Sequence, residues 1–355
     1  MTVLVTGGAG FIGSEIVALA RSRGRDVRVL DSLRPDVHRA GAGHAGGWRA
    51  PEGAEFVRGD IRDPDVLDHA LEGVDTVLHQ AAKVGLGVDL ADAPDYAATN
   101  VVGTAELVAA MARAGVRRLV LASSMVVYGE GVYVDGSGRR RRPAPRRVED
   151  LEAGIFDPVD DIGQRLAPDL VTEDDALEPR NAYALSKLAQ EHLAATWARS
   201  TGGTAALLRY HNVYGPGMPQ DTPCAGVAAL FRSMLARGEA PRVFEDGGQR
   251  RDFVHVSDVA RANLAAADRL EDLQPSTARA FNVGSGAVTT VGAVAARLAR
   301  VMGGRELVVT GEYRLGDVRH ITASSERARS ELGWSAQVSL ASGLREFALP
   351  EASAH

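Results

Sequence analysis

Residues 2–13 read Thr2-Val3-Leu4-Val5-Thr6-Gly7-Gly8-Ala9-Gly10-Phe11-Ile12-Gly13. An apolar, β-branched run stops on a glycine cluster, and the helical pattern SEIVALARSRG (14–24) follows. Strand, glycine turn and helix in that order give a glycine pattern its meaning. Glycine permits the tight turn and lets the backbone approach a pyrophosphate. The helix N-terminus then presents free N–H groups and the positive end of its dipole to that anion. The spacing is G-x-x-G-x-x-G on Gly7, Gly10 and Gly13, with Phe11 and Ile12 inside the turn.

Outward from this turn the first half of the chain alternates. DVRVLD (26–31), TVLHQAA (76–82) and RLVLASS (118–124) read as buried parallel strands, with EFVRGD (55–60) as the third strand of the chain. DPDVLDHALEG (63–73) and NVVGTAELVAAMARAG (100–115) read as the helices between them. Such repetition predicts an α/β, Rossmann-like doubly wound parallel sheet. The helix 181–200 and the strand TAALLRYHNVYG (204–215) continue it, and FNVGSG (281–286) reads as a late return strand. The expected division is a dinucleotide-binding domain over 1–215 and a smaller, mainly substrate-binding lobe over 216–355. Residues 34–52 read as a surface loop. Residues 131–170 break the rhythm: Arg139 to Arg142, Arg146 and Arg147 precede an acidic stretch. Two readings stay open for this insertion, a solvated excursion whose charges partly pair and a lid or phosphate-attracting patch.

Composition narrows the function. The 355 residues carry 46 acidic and 40 basic side chains, a net charge of −6, which argues against a nucleic-acid binder. No apolar run is long enough to span a membrane, and the opening strand leaves no basic and apolar leader pattern. A cytoplasmic protein is expected. One cysteine, Cys224, excludes internal disulfides and cysteine-rich zinc modules. No histidine clusters with carboxylates in a metal-like pattern, so no metal is expected. The basic residues divide into 38 Arg and 2 Lys, Lys83 and Lys187. Drift from Lys to Arg accounts for the surface and leaves the two exceptions to be explained.

Asp31 closes the second strand, where a carboxylate can accept both ribose hydroxyls of an adenosine and repels a 2′-phosphate. It therefore favours NAD over NADP. Asp60 and Ile61 follow the third strand and are expected at the adenine. Tyr183 and Lys187 lie i, i+4 on one helix and share a face. An ammonium nearby favours the phenolate of a tyrosine that would otherwise titrate near ~10. Lysine is compact where arginine is planar and bulky, so the exchange is not conservative. Ser124 ends a parallel strand, where open α/β sheets bind ligands. Ser123 competes for that role and is expected to face the other way.

Together GGAGFIG, Asp31, the serine of SSMVVYG, YALSK, NVYGP and RDFVHVSDVA resemble the extended short-chain dehydrogenase/reductases, in particular the NAD-dependent nucleotide-sugar epimerase/dehydratase group. The resemblance runs to the closing ELGWSAQVSLASGLREF (331–347). It implies Tyr183 as acid/base, Lys187 on the nicotinamide ribose and Ser124 on the reacting oxygen. It implies Ala81 at the cofactor, Asn212 and Arg251 at the sugar diphosphate, and Arg314 and Asp317 at the diphosphate and nucleoside ribose. Phe244 is carried over as a substrate contact, and Lys83, in the loop after the fourth strand, stays open between a surface lysine and a contact beside the nicotinamide and sugar. The 4,6-dehydratases carry an acidic pair beside the catalytic Ser/Thr, where this chain has Met125 and Val126. Cys224 is expected to pack or to line the substrate pocket. Similar proteins often hold paired cysteines in the insertion, which this chain lacks. The implied function is C4 epimerisation of a UDP- or dTDP-hexose through a transient 4-keto sugar, in a homodimer built on the helices near 100–114 and 181–200. The competing readings are a dehydratase or net oxidoreductase on the same scaffold, and a non-catalytic dinucleotide sensor.

Overall fold

A computed structural model describes residues 1–35, 38, 51–85, 89–220 and 226–349. Seven strands form the central sheet: β1 (Thr2–Thr6), β2 (Asp26–Asp31), β3 (Glu55–Arg58), β4 (Thr76–His79), β5 (Arg118–Ser124), β6 (Thr204–Tyr210) and β7 (Thr277–Val283). Their order is β7-β6-β5-β4-β1-β2-β3, and every pairing is parallel. The order reverses between β1 and β4, the topological switch point where such sheets bind ligands.

Period-2 side-chain alternation buries both faces. Val3 and Val5 of β1 pack with Ile16 and Val17 of α1 (Phe11–Ser22). Leu4 faces the opposite way, onto Leu67 of α2 (Pro64–Ala70) and Leu107 and Met111 of α3 (Gly103–Ala114). Ala194, Trp197 and Ala198 of α4 (Ala182–Thr201) complete that second layer, while α5 (Val256–Arg269) lies beside α1. This is the doubly wound parallel sheet expected from the alternation of strands and helices.

Several boundaries differ. The run 76–82 leaves the sheet at His79, and the return strand starts at Thr277 and ends at Val283, short of 286. The run 204–215 is two strands, not one. β6 ends at Tyr210, and Asn212–Tyr214 pairs instead with Arg250–His255 in a smaller sheet. The helix expected from residue 100 begins at Ala93 and passes through a π-helical turn, Ala97–Val102, before α3. Most of the expected loop 34–52, with His44, lies outside the described residues, as does Cys224.

In the insertion, Val132–Val134 pairs antiparallel with Arg140–Arg141 and Ala167–Asp169. Its opposite charges do pair: Arg140 with Asp169 and Asp175, Arg141 with Asp135, Arg147 with Asp150. Arg146 and Asp157 turn inward, onto the later part of the chain. Arg146 Nη1 donates to Glu245 Oε1 at 2.7 Å and Nη2 to the Asp317 carbonyl at 2.7 Å. Arg319, 2% exposed, donates to Asp157 Oδ1 (2.7 Å), Glu245 Oε2 (2.8 Å) and Asp246 Oδ1 (2.7 Å). Removing one partner of a buried ion pair strands the other charge. Arg319→Met is therefore expected to cost about 3–5 kcal/mol, seen as a lower midpoint in urea unfolding, whereas Arg147→Met at the surface is expected to leave the midpoint unchanged.

Candidate functional site

A cavity of about 430 Å³ opens at the carboxyl ends of β1, β2, β4, β5 and β6. The glycine turn forms one wall, and Gly7, Gly10, Phe11, Ile12 and Gly13 all line it. Gly7 has φ +67°, a left-handed conformation that favours glycine. A Cβ on Gly13 would lie 2.1 Å from the Gly7 carbonyl oxygen, so only glycine closes the turn. Gly10 caps α1 with no side-chain hydrogen bond to the first-turn amides. The residues that carry those donors line the cavity and have no side-chain cap, which suits a pyrophosphate.

Asp31 is tied into the same wall. Its Oδ2 accepts from the Ala9 amide at 3.0 Å and its Oδ1 from the Leu33 amide at 2.9 Å. Two acceptor positions of the carboxylate remain for ribose hydroxyls. Further along, Asp60 is gripped by Arg62 through Nε (2.9 Å) and Nη2 (2.6 Å), which holds its carboxyl below the usual range. Asp60, Ile61 and Ala81 all line the cavity. These residues fit a dinucleotide: a glycine turn at a helix N-terminus, an acidic group at the next strand end, and an apolar slot beyond it.

Ser124, Tyr183 and Lys187 line the opposite end. Asn181 caps α4, its Oδ1 accepting from the Ala184 amide at 2.8 Å, so the helix starts beside the cavity with Tyr183 in its first turn. The Tyr183 ring packs against Tyr96 at 5.7 Å between centroids. One turn on, Lys187 is 3% exposed and donates from Nζ to the Ala122 carbonyl at 2.9 Å. Burial pulls its ammonium down to about 7, against the opposing pull of Glu191. Ser124 Oγ accepts from the Val126 amide at 3.4 Å, while Ser123 Oγ turns away to donate to Glu191 Oε1 at 2.5 Å.

The remaining sequence-derived residues divide. Asn212 lines the cavity, and its Oδ1 is buried without a hydrogen-bond partner. Lys83 is not among the lining residues; its Nζ is 3.3 Å from Asp95 Oδ2, which Arg34 also holds. Phe244, Arg251, Arg314 and Asp317 form a separate cluster outside the lining. The Arg314 guanidinium sits 4.9 Å over the Phe244 ring. Arg251 donates to the carbonyls of Val318 (2.6 Å), Arg250 (2.8 Å) and Arg319 (3.0 Å), and burial lowers its pKa. Burial raises that of Asp317. No residue of the insertion lines the cavity.

Two residues had no role at the site in the sequence reading. Asn100, inside the π-helical turn, clamps the backbone of Lys83: its Oδ1 accepts from the Lys83 amide at 2.7 Å and its Nδ2 donates to the Lys83 carbonyl at 2.9 Å. It also donates to Ser186 Oγ at 2.8 Å, tying the loop after β4 to α4. An asparagine amid the helical pattern NVVGTAEL was the available signal, since its side chain competes with helical hydrogen bonding. His211 lines the cavity with both ring nitrogens buried and unpartnered, and burial lowers its pKa to about 4. Among the described residues no group of three or more His, Cys, Asp or Glu side chains is placed to hold a metal, and no helix is long and apolar enough to cross a membrane.

Comparison with known proteins places this geometry. Residues 3–149 and 153–284 match the model of the NAD dependent epimerase/dehydratase family. The chain is 35% identical over 351 residues to a dTDP-L-rhamnose 4-epimerase of Burkholderia thailandensis, covering 97% of this chain and 93% of that one. Among solved structures it is similar to MoeE5 in complex with UDP-glucose and NAD, with TM-score 0.76, 31% identity and coverage of 98% and 97%. It is also similar to the UDP-glucose 4-epimerase of Thermus thermophilus in complex with NAD, with TM-score 0.74, 30% identity and 98% of each chain covered.

Proposed function

The chain belongs to the NAD-dependent epimerase/dehydratase family, and on that premise we propose that it epimerises C4 of a UDP- or dTDP-hexose with bound NAD. It is an isomerase: a transient 4-keto sugar forms and is reduced again from its other face. The observation that carries the reading is the convergence of Ser124, Tyr183 and Lys187 at one end of a cavity whose other end is the glycine turn and Asp31.

The residues act as follows. The glycine turn and α1 hold the pyrophosphate, and Asp31 takes the adenosine ribose. Tyr183, as phenolate, removes the proton of the C4 hydroxyl as the C4–H bond breaks. Bound NAD supplies the hydride acceptor and later the donor. Lys187 holds the nicotinamide ribose and keeps a positive charge beside the phenolate, which lowers the cost of its ionisation. Ser124 donates to the same oxygen while it is a carbonyl. After the sugar turns over, Tyr183 returns the proton to the C4 oxygen, so neither cofactor nor proton is consumed. Met125 and Val126 follow Ser124 where a dehydratase needs acid/base groups, and neither can move a proton.

The diphosphate and nucleoside are assigned to Asn212, Arg251, Arg314, Asp317 and Phe244. The arginines bring fork geometry that matches phosphate oxygens. Lys83 is kept as a weaker candidate, because its ammonium already pairs with Asp95. The division into a cofactor domain over 1–215 and a substrate lobe over 216–355 belongs to the same reading. So do a cytoplasmic location and a homodimer on the exposed faces of α3 and α4. A thermal-shift panel of UDP- and dTDP-sugars with NAD present tests it: a hexose derivative of one nucleotide is expected to raise the midpoint and to be converted to its 4-epimer. Stabilisation by NAD alone, with no sugar nucleotide bound or converted, would leave the sensor reading in its place.

A further inference from the structure

Behind the Tyr183–Lys187 pair lies a buried charged group that the proposed chemistry does not use. Glu191 follows Lys187 by four residues on α4 and Tyr183 by eight, so all three share one helix face. Its carboxylate is 4% exposed and fully engaged. Oε1 accepts from Ser123 Oγ (2.5 Å) and Arg209 Nε (2.9 Å), and Oε2 from Arg209 Nη2 (2.8 Å). The three residues come from three elements: α4, β5 and β6. Ser123 is the chain neighbour of Ser124, and Ala122, which accepts from Lys187 Nζ, is the neighbour of Ser123.

A buried carboxylate is costly to desolvate, and an apolar brace would join helix to sheet equally well. Its position one turn beyond Lys187 gives it a task that an apolar residue lacks. We infer that Glu191, fixed by Arg209 and Ser123, is a positioning residue whose carboxylate serves Lys187 as a buried countercharge and so supports proton transfer at Tyr183. The inference rests on the proposed roles of Tyr183 and Lys187.

The other titratable groups around Lys187 cannot take this part. His79 on β4 is fully buried and driven down to about 3, partly by Lys187 itself, so it stays neutral at working pH. Tyr128, in the turn after β5, is pushed up to about 12 by burial and stays protonated. Arg209 on β6 is already bound to Glu191 and to Tyr128 Oη (2.9 Å). Glu191 is the group whose charge opposes the effect of burial on Lys187. The sign follows. Lys187 loses its proton as pH rises through its pKa, and Glu191 raises that pKa. Without Glu191 the ammonium is lost at lower pH, and the Tyr183 phenolate becomes harder to form.

The chain has only two lysines, which makes the test direct. Protein labelled with ε-¹³C-lysine gives two lysine signals, and Lys83→Arg assigns the one from Lys187. In the wild-type protein that signal is expected to titrate near 7. In Glu191→Gln its midpoint is expected to fall by about one pH unit. The acid limb of the kcat profile is expected to move up by a similar amount, with kcat at pH 7 about tenfold lower and KM nearly constant. Glu191→Gln also strands Arg209, so Glu191→Gln/Arg209→Met serves as the variant in which both charges leave together; it is expected to fold and to keep the lowered Lys187 midpoint. A folded variant whose Lys187 midpoint and kcat profile match the wild type would reduce the pair to a structural brace and overturn the inference. Absence of turnover in the wild-type protein would instead count against the proposed reaction, and the lysine titration would still decide the role of Glu191.

Discussion

Tyr183→Phe is expected to lower kcat by about 10³-fold while KM and the thermal midpoint stay near wild type. The change removes one oxygen. The ring contact with Tyr96 at 5.7 Å survives, because phenylalanine has the same ring. The N-terminus of α4 survives as well, since its cap is Asn181. What is lost is the only phenol among Ser124, Tyr183 and Lys187, the three groups to which the proposed proton chemistry is assigned. Ser124 cannot replace it, since a serine hydroxyl is a far weaker acid. Lys187, whose ammonium burial has already lowered to about 7, has its Nζ directed to the Ala122 carbonyl. Steady-state kinetics with the best substrate of the thermal-shift panel checks the expectation. Turnover retained within a few-fold would remove Tyr183 from the proton path.

Gly13→Ala is expected to abolish measurable NAD binding and to destabilise the fold by about 2–3 kcal/mol. The added Cβ would meet three backbone atoms: the Gly7 oxygen at 2.1 Å, Gly8 Cα at 2.7 Å and the Gly7 carbonyl carbon at 2.9 Å. None of these is the end of a flexible side chain that can step aside. Relief requires α1 to move away from the turn, which separates its N-terminal amides from the pyrophosphate position. Gly7 cannot yield either, because its own left-handed backbone already packs against the loop after β4. Gly10→Ala is the matched control. Its nearest contact is the Gly7 oxygen at 3.2 Å, so the loss in NAD affinity should be several-fold and the stability nearly unchanged. The NAD-induced thermal shift reads both variants. Normal NAD binding by Gly13→Ala would mean the turn does not cradle the cofactor.

What the sequence discloses is local. The glycine turn, Asp31, and the Tyr183–Lys187 spacing each depend on residues within a few positions of one another, and short-range geometry is enough to read them. The seven parallel strands follow from buried apolar runs alternating with amphipathic helices. Features set by tertiary contacts were not legible. The run 204–215 looks continuous because strand-forming residues flank the break on both sides; the hydrogen bond from the His211 amide to the Val283 carbonyl and the move to a second sheet show that it breaks. The π-helical turn before α3 exists where Asn100 must reach the Lys83 backbone, a partner seventeen positions away. The inward turn of Arg146 from a run of surface arginines depends on Glu245, nearly a hundred residues later. The scarcity of lysine singled out Lys187, whose ammonium is buried and donates to the Ala122 carbonyl of β5. It gave Lys83 no comparable task, and the ammonium there closes an ion pair with Asp95.

In the proposed reaction a hydride leaves C4 and returns to the same carbon from the other side. A UDP- or dTDP-hexose carrying deuterium at C4, incubated with the pure protein and NAD, tests it most directly. The expected product is the 4-epimer with deuterium retained at C4 and no accumulation of NADH. Loss of the deuterium to solvent, a lasting 4-keto product, or NADH formed in step with turnover would contradict it.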